Sequence, residues 1–142
     1  MKIIALLFLF CGFSAFGQGA TEVTNHYDIL KQAAVFSLSG GFAGRITREG
    51  EAVLAVAKQK NAVAMFSTLA HEDSPSAKLY GLLGLQMISS PQFRNELPKL
   101  LKNKTPVRVL EGCIMGTKEI AVVAREIEQG RWSLGLNVKV LK

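Results

Sequence analysis

The 142 residues predict a mainly α-helical domain, a compact stack of short helical hairpins with a small β pairing near the C-terminus. Three observations carry that prediction. Ser74-Pro75, Ser90-Pro91 and Thr105-Pro106 stand 16 and 15 residues apart. Each is a helix-start signal, because Ser or Thr can accept from a free N–H and Pro is tolerated at the first helical position. Between the signals, apolar residues recur at helical spacing. After Gly130 the spacing shortens to the alternation of a strand.

The chain opens MKIIALLFLFCGFSAFGQ, with one charge at Lys2 and an apolar run from Ile3 to Phe16. Ala15 and Gly17 offer small residues before Gln18, which completes the pattern of a cleaved signal peptide over residues 1–17. The run is 14 residues, short of the roughly 20 that a membrane span needs. A lipid-modified Cys11 is disfavoured by the bulky Phe8-Leu9-Phe10 before it. The expectation is therefore an exported protein, periplasmic or extracellular. Residues 18–142 then form one helical domain with a net charge of +5, since only Lys2 leaves from the total of +6. No later apolar stretch is long enough to span a bilayer.

Tyr27 to Ser37 reads as the first helix, with Ile29, Leu30, Ala33, Ala34 and Phe36 apolar. The glycines at 40, 41 and 44 mark a loop, and Thr47 is placed to cap the next helix. Glu51 to Lys58 and Ala62 to Ala70 read as two helices, contributing Val53, Leu54, Val63, Met65, Phe66 and Leu69 to the core. Ala77 to Ile88 is apolar almost all round, as a central buried helix must be. Gly81 and Gly84 each cost about 1 kcal/mol of helix propensity against Ala, which makes sense where another helix packs closely. Gln92 to Lys102 is a further helix that Pro98 must kink or restart.

Ile120, Val123, Ala124 and Ile127 share one helical face, and Gly130 ends that helix. Leu134, Leu136, Val138 and Val140 alternate with polar residues or glycine as a strand, and Val107 and Val109 flank Arg108 in a second strand-like piece that could pair with it.

The rhythm of residues 49–104 resembles HEAT-like short helical repeats, which implies a stack that presents side chains of successive helices on one surface. The stretches GGFAG, TREGE and KLYGLLGL resemble exported bacterial proteins of uncharacterised function, so that likeness implies no catalytic residue.

Few residues invite chemistry. Cys113, flanked by Gly112, Ile114 and Met115, reads as a small packed side chain. Its alternatives are an intermolecular disulfide, or a nucleophile activated by His71 with Glu72 or Asp73 as orienter. With Cys11 removed, Cys113 has no internal disulfide partner. His71-Glu72-Asp73 reads as a turn, because structural metal sites announce themselves by paired ligands at short spacings. Neither a metal nor a cofactor is expected. Arg94, Lys99, Lys102, Lys104 and Arg108 against Glu96 give a net +4 over residues 94–108. That stretch is suited to an anionic envelope component, while the single Phe93 lacks the stacking partners of a nucleic-acid surface. There is no GxSxG and no HExxH, and the glycine loop carries no GK[ST]. The expectation is a non-enzymatic binding or scaffold protein. Its rivals are a cysteine-dependent enzyme and an envelope-associated module.

Overall fold

A computed structural model describes residues 18–134. The signal peptide with Cys11, and the alternating residues Leu136, Val138 and Val140, lie outside the described residues. Within them are six α-helices and two small antiparallel sheets. In chain order these are α1 (Gln18–Lys31), β1 (Ser39–Gly40), β2 (Arg45–Ile46), α2 (Arg48–Ala57) and α3 (Ala62–Ala70). Next come α4 (Pro75–Met87), α5 (Gln92–Leu100), β3 (Pro106–Glu111), β4 (Ile114–Glu119) and α6 (Ile120–Glu128). None of the described helices is long and apolar enough to cross a membrane.

The protein is organised around α4. Ser74 caps it by accepting from the Ala77 N–H, and Pro75 opens the first turn. Leu79, Tyr80, Leu82, Leu83 and Leu85 are all fully buried, so every face of the helix has a neighbour. The closest is α3, joined to it by the turn at His71-Glu72-Asp73. Gly81 lies against Ala70 and Phe66, and Gly84 against Phe66, so the two helices run antiparallel at backbone-contact distance.

Several boundaries differ from expectation, each for a visible reason. The first helix stops at Lys31, not Ser37. Phe36 is extended instead: its N–H donates to Arg108 O at 2.8 Å, and its carbonyl accepts from Leu110 N–H at 3.0 Å. Its ring packs between Tyr80 and Trp132, tilted against the first and edge-to-face with the second, with centroids 4.8 and 4.7 Å away. Backbone pairing and an aromatic pocket together outweigh a local helical pattern.

Thr105-Pro106 starts no helix. Pro106 is the first residue of β3, an end position where the missing N–H costs no ladder bond. Val107 and Val109 do form a strand, but the partner is β4, in a register that sets Val107 opposite Lys118 and Glu111 opposite Ile114. The α5 helix runs through Pro98 and ends at Leu100, two residues short of Lys102. Thr47 caps α2 as expected, accepting from Gly50 N–H at 3.1 Å. Gly130 closes α6 with φ 72°, its N–H bonding Ile127 O while Arg131 N–H bonds Glu126 O, a Schellman motif.

Candidate functional site

The segment from Phe36 to Gly40 runs parallel to β3, with bridges Phe36–Val109 and Gly40–Gly112. Between these bridges it advances four residues while β3 advances three, so one residue is left over as a bulge. This pairing carries the tip of the β1–β2 hairpin to the tip of the β3–β4 hairpin. Gly41 N–H donates to Gly112 O at 3.0 Å and ties the two tips together.

Positive φ makes both tips. Gly41 (77°) and Gly44 (57°) turn the first, and Gly112 (61°) turns the second. Glu111 pairs with Ile114, so Gly112-Cys113 is a two-residue turn. Positive φ at its first position alone is the type II′ pattern, which glycine permits. Cys113 is therefore exposed at a turn, and the expectation of a packed thiol is overturned. The turn lifts it off the sheet, whereas a core position would have required an inward-facing strand residue.

Around this thiol stand the most exposed large apolar side chains of the described residues. Phe42 is wholly exposed, Ile114 is 75% exposed and Met115 47%. Large apolar groups gathered in one region mark interaction surfaces more often than singly scattered ones do.

Behind the tips lies a fixed base. The Lys118 ammonium sits 2.8 Å from Glu111 and 2.9 Å from Glu126, and the Trp132 indole N–H donates to Glu126 at 3.0 Å. Desolvation pulls the Lys118 pKa down, but hydrogen bonds to Glu111 and Glu126 outweigh it and hold it above the ordinary lysine value. A cleft of about 230 Å³ opens beside this cluster, between Leu38, Ser39, Glu111, Gly112, Arg131 and Trp132.

The anticipated Cys113–His71 pair is not assembled. His71 caps the end of α3, its Nδ1 donating to Ser67 O at 2.7 Å and its Nε2 lying 3.5 Å from Glu96. Glu72, one of the two anticipated orienters with Asp73, pairs with Lys31 at 3.0 Å. No hydrogen bond joins His71 to Cys113 among the described residues. Nor do those residues gather three His, Cys, Asp or Glu side chains able to hold a metal. The basic residues Arg94, Lys99, Lys102, Lys104 and Arg108 are all exposed, distributed over α5, the turn after it and β3. Lys99 is paired with Glu96 at 3.1 Å, and the other four form no ion pair among the described residues.

The apolar tips and β4 were missed at the level of sequence. The available signal was VRVLE-GC-IMGTKE: two short runs separated by a glycine-led dipeptide, a hairpin signature. No protein-family model matches the chain, and no curated protein matches it.

Proposed function

We propose that this chain is an exported, non-enzymatic binding module whose working surface is the joined pair of hairpin tips. The observation that carries the reading is the full exposure of Phe42 on a tip hydrogen-bonded to the one that presents Ile114 and Met115. Leaving Phe42 in water forgoes roughly 1.5–3 kcal/mol, and the partly covered Ile114 and Met115 forgo less, which a partner's surface can recover. The antiparallel pair α3–α4 supports a HEAT-like helical hairpin as the mount for this surface. Export is supported by the charged start, apolar run and small-residue exit of residues 1–17.

The test uses short random peptides displayed on phage and selected against the full chain. Selected peptides are expected to lose affinity on Phe42→Ser or Ile114→Ser, and to keep it on a Lys102→Ala, Lys104→Ala variant. Retention on both tip variants would remove the tips as the working surface.

A second reading rests on a different observation. Arg94, Lys102, Lys104 and Arg108 are exposed without an acidic partner among the described residues. Cations so placed suit an anionic envelope component. That reading expects binding to anionic vesicles that weakens steeply with salt, and unchanged retention at high salt would remove it.

A further inference from the structure

The two joined tips are alike in composition. Residues 40–44 read GGFAG and residues 112–116 read GCIMG, ten residues without a charge. Arg45 follows the first stretch directly, and Arg131 borders the same cleft as Gly112. Both arginines are exposed, and neither forms an ion pair among the described residues. The acid beside them, Glu111, is neutralised by Lys118 at 2.8 Å.

The apolar side chains of the tips do not share a face. Ile114 stands opposite Glu111, so it points to the side of the sheet on which Val107 and Val109 are buried. Met115 stands opposite Leu110 and points to the other side. Phe42 projects from the neighbouring tip, wholly exposed. A folded partner or a second copy lies against one side of a hairpin. Apolar groups on both faces and on the adjoining tip are matched instead by a medium that surrounds the end of the molecule.

We infer that the tips enter a lipid bilayer at the boundary between headgroups and acyl chains, with Arg45 and Arg131 at the level of anionic headgroups. The inference rests on the tip reading above and names its partner as a lipid surface. The dimensions agree. Interfacial elements bury their apolar groups about 5–10 Å deep. Arg45 stands three residues from Phe42, at most about 10 Å of extended chain, so its guanidinium stays among the phosphates when the ring is buried. Backbone groups carried to that depth need partners. Gly41 N–H already has Gly112 O at 3.0 Å, and Gly44 N–H has Gly41 O at 3.1 Å. These two arginines are distinct from the basic residues of α5 and the turn after it, so the two modes of membrane contact are separable.

The test takes the exported chain, its residues 1–17 expected to be removed. It is mixed with vesicles of phosphatidylcholine alone, or of equal parts phosphatidylcholine and phosphatidylglycerol, and binding is read by sedimentation. Phe42→Ser is expected to bind both about tenfold or more weakly. Arg45→Gln is expected to bind the mixed vesicles about fivefold more weakly at low salt. A second measurement keeps every tip residue. Cys113 is then the single thiol, and a small polarity-sensitive dye on it should shift to the blue on vesicles and be quenched by bromine on the acyl chains. The single tryptophan, Trp132, is buried behind the tips and should escape that quenching.

A dye that stays in water, while selected peptides still depend on Phe42, would overturn the bilayer and leave the tips as a protein-binding surface. The same dye result with peptides indifferent to Phe42 would remove the tip reading itself. Vesicle binding kept on Phe42→Ser and lost on the Lys102→Ala, Lys104→Ala variant would give the membrane to the basic stretch and overturn insertion.

Discussion

A methyl group on Gly81 would stand 2.3 Å from the Ala70 nitrogen and 2.6 Å from Phe66 O. The contact is backbone against helix backbone, so nothing flexible can give way. Gly81→Ala gains about 1 kcal/mol of helix propensity, yet the overpacking should leave a net loss of about 2–4 kcal/mol. Gly84→Ala presses on the Phe66 ring instead, 2.2 Å away, and should cost about 1–3 kcal/mol because a ring can tilt. Gly116→Ala, with its nearest neighbour at 3.9 Å, should stay within about 0.5 kcal/mol. Urea unfolding of the three variants measures the order, and an unaffected Gly81→Ala would mean the helices lie further apart.

Tyr80 is a second pivot. Its hydroxyl accepts from Ser37 N–H at 2.9 Å and directs its single proton to the carbonyls of Val35 and Ser37. Tyr80→Phe leaves a buried N–H without an acceptor and should cost about 1–3 kcal/mol. Burial holds the phenol well above its ordinary value of 10.0. The folded state therefore keeps the proton after the unfolded chain has lost it, and this contribution is complete below pH 10 and falls as pH rises beyond it. The slope should approach about 1.4 kcal/mol per pH unit, and Tyr80→Phe should remove that part of it. Stability profiles with equal slopes above pH 10 would refute the assignment.

The Lys118 cluster, whose lysine is 25% exposed, should outrank the Lys99–Glu96 pair, whose lysine is 61% exposed and whose buried Glu96 keeps His71 as a neighbour. Lys118→Ala leaves Glu126, whose side chain is 13% exposed, with only the Trp132 indole as partner. A loss of about 1–2 kcal/mol is expected, against less than about 0.5 kcal/mol for Lys99→Ala. Thermal melts of both variants rank them.

Ser89 occupies the left-handed region at φ 53°, where helix ends usually place glycine. Its own N–H bonds Gln86 O and the Ser90 N–H bonds Leu85 O, both at 2.9 Å, so a serine closes the Schellman motif of α4. Ser89→Gly should raise stability by about 0.5–1 kcal/mol, read as a higher urea midpoint at constant slope.

Cys113 is exposed at its turn, so a thiol reagent should label it in the folded protein at close to the rate for the unfolded chain. Labelling that appears only after unfolding would put the thiol back in a packed site.

The helices were legible because their signals are local. Ser74, Thr47 and Gly130 act within one turn of themselves, and the all-round apolar character of Leu79 to Leu85 needs no partner to be noticed. Gly81 and Gly84 even announced the tight neighbour. Illegible were the pairings that depend on residues far apart in sequence, above all Phe36 with Arg108 and Leu110. The exposed tips escaped for a related reason. Ile114 and Met115 have the character of core residues, and only the two-residue turn and its register decide that they face water.

The strand from Phe36 to Gly40 closes the molecule on itself. It needs β3, which arrives about seventy residues later in the chain, after α2 to α5. Loop closure of that length is slow and must precede its reward. A chain cut or stalled before Pro106 would therefore hold α2 to α5 but lack α6, and would leave Phe36 and Tyr80 uncovered. Such fragments should be protease-sensitive and adhesive, so the last sheet to be made is the one that renders the earlier helices inert.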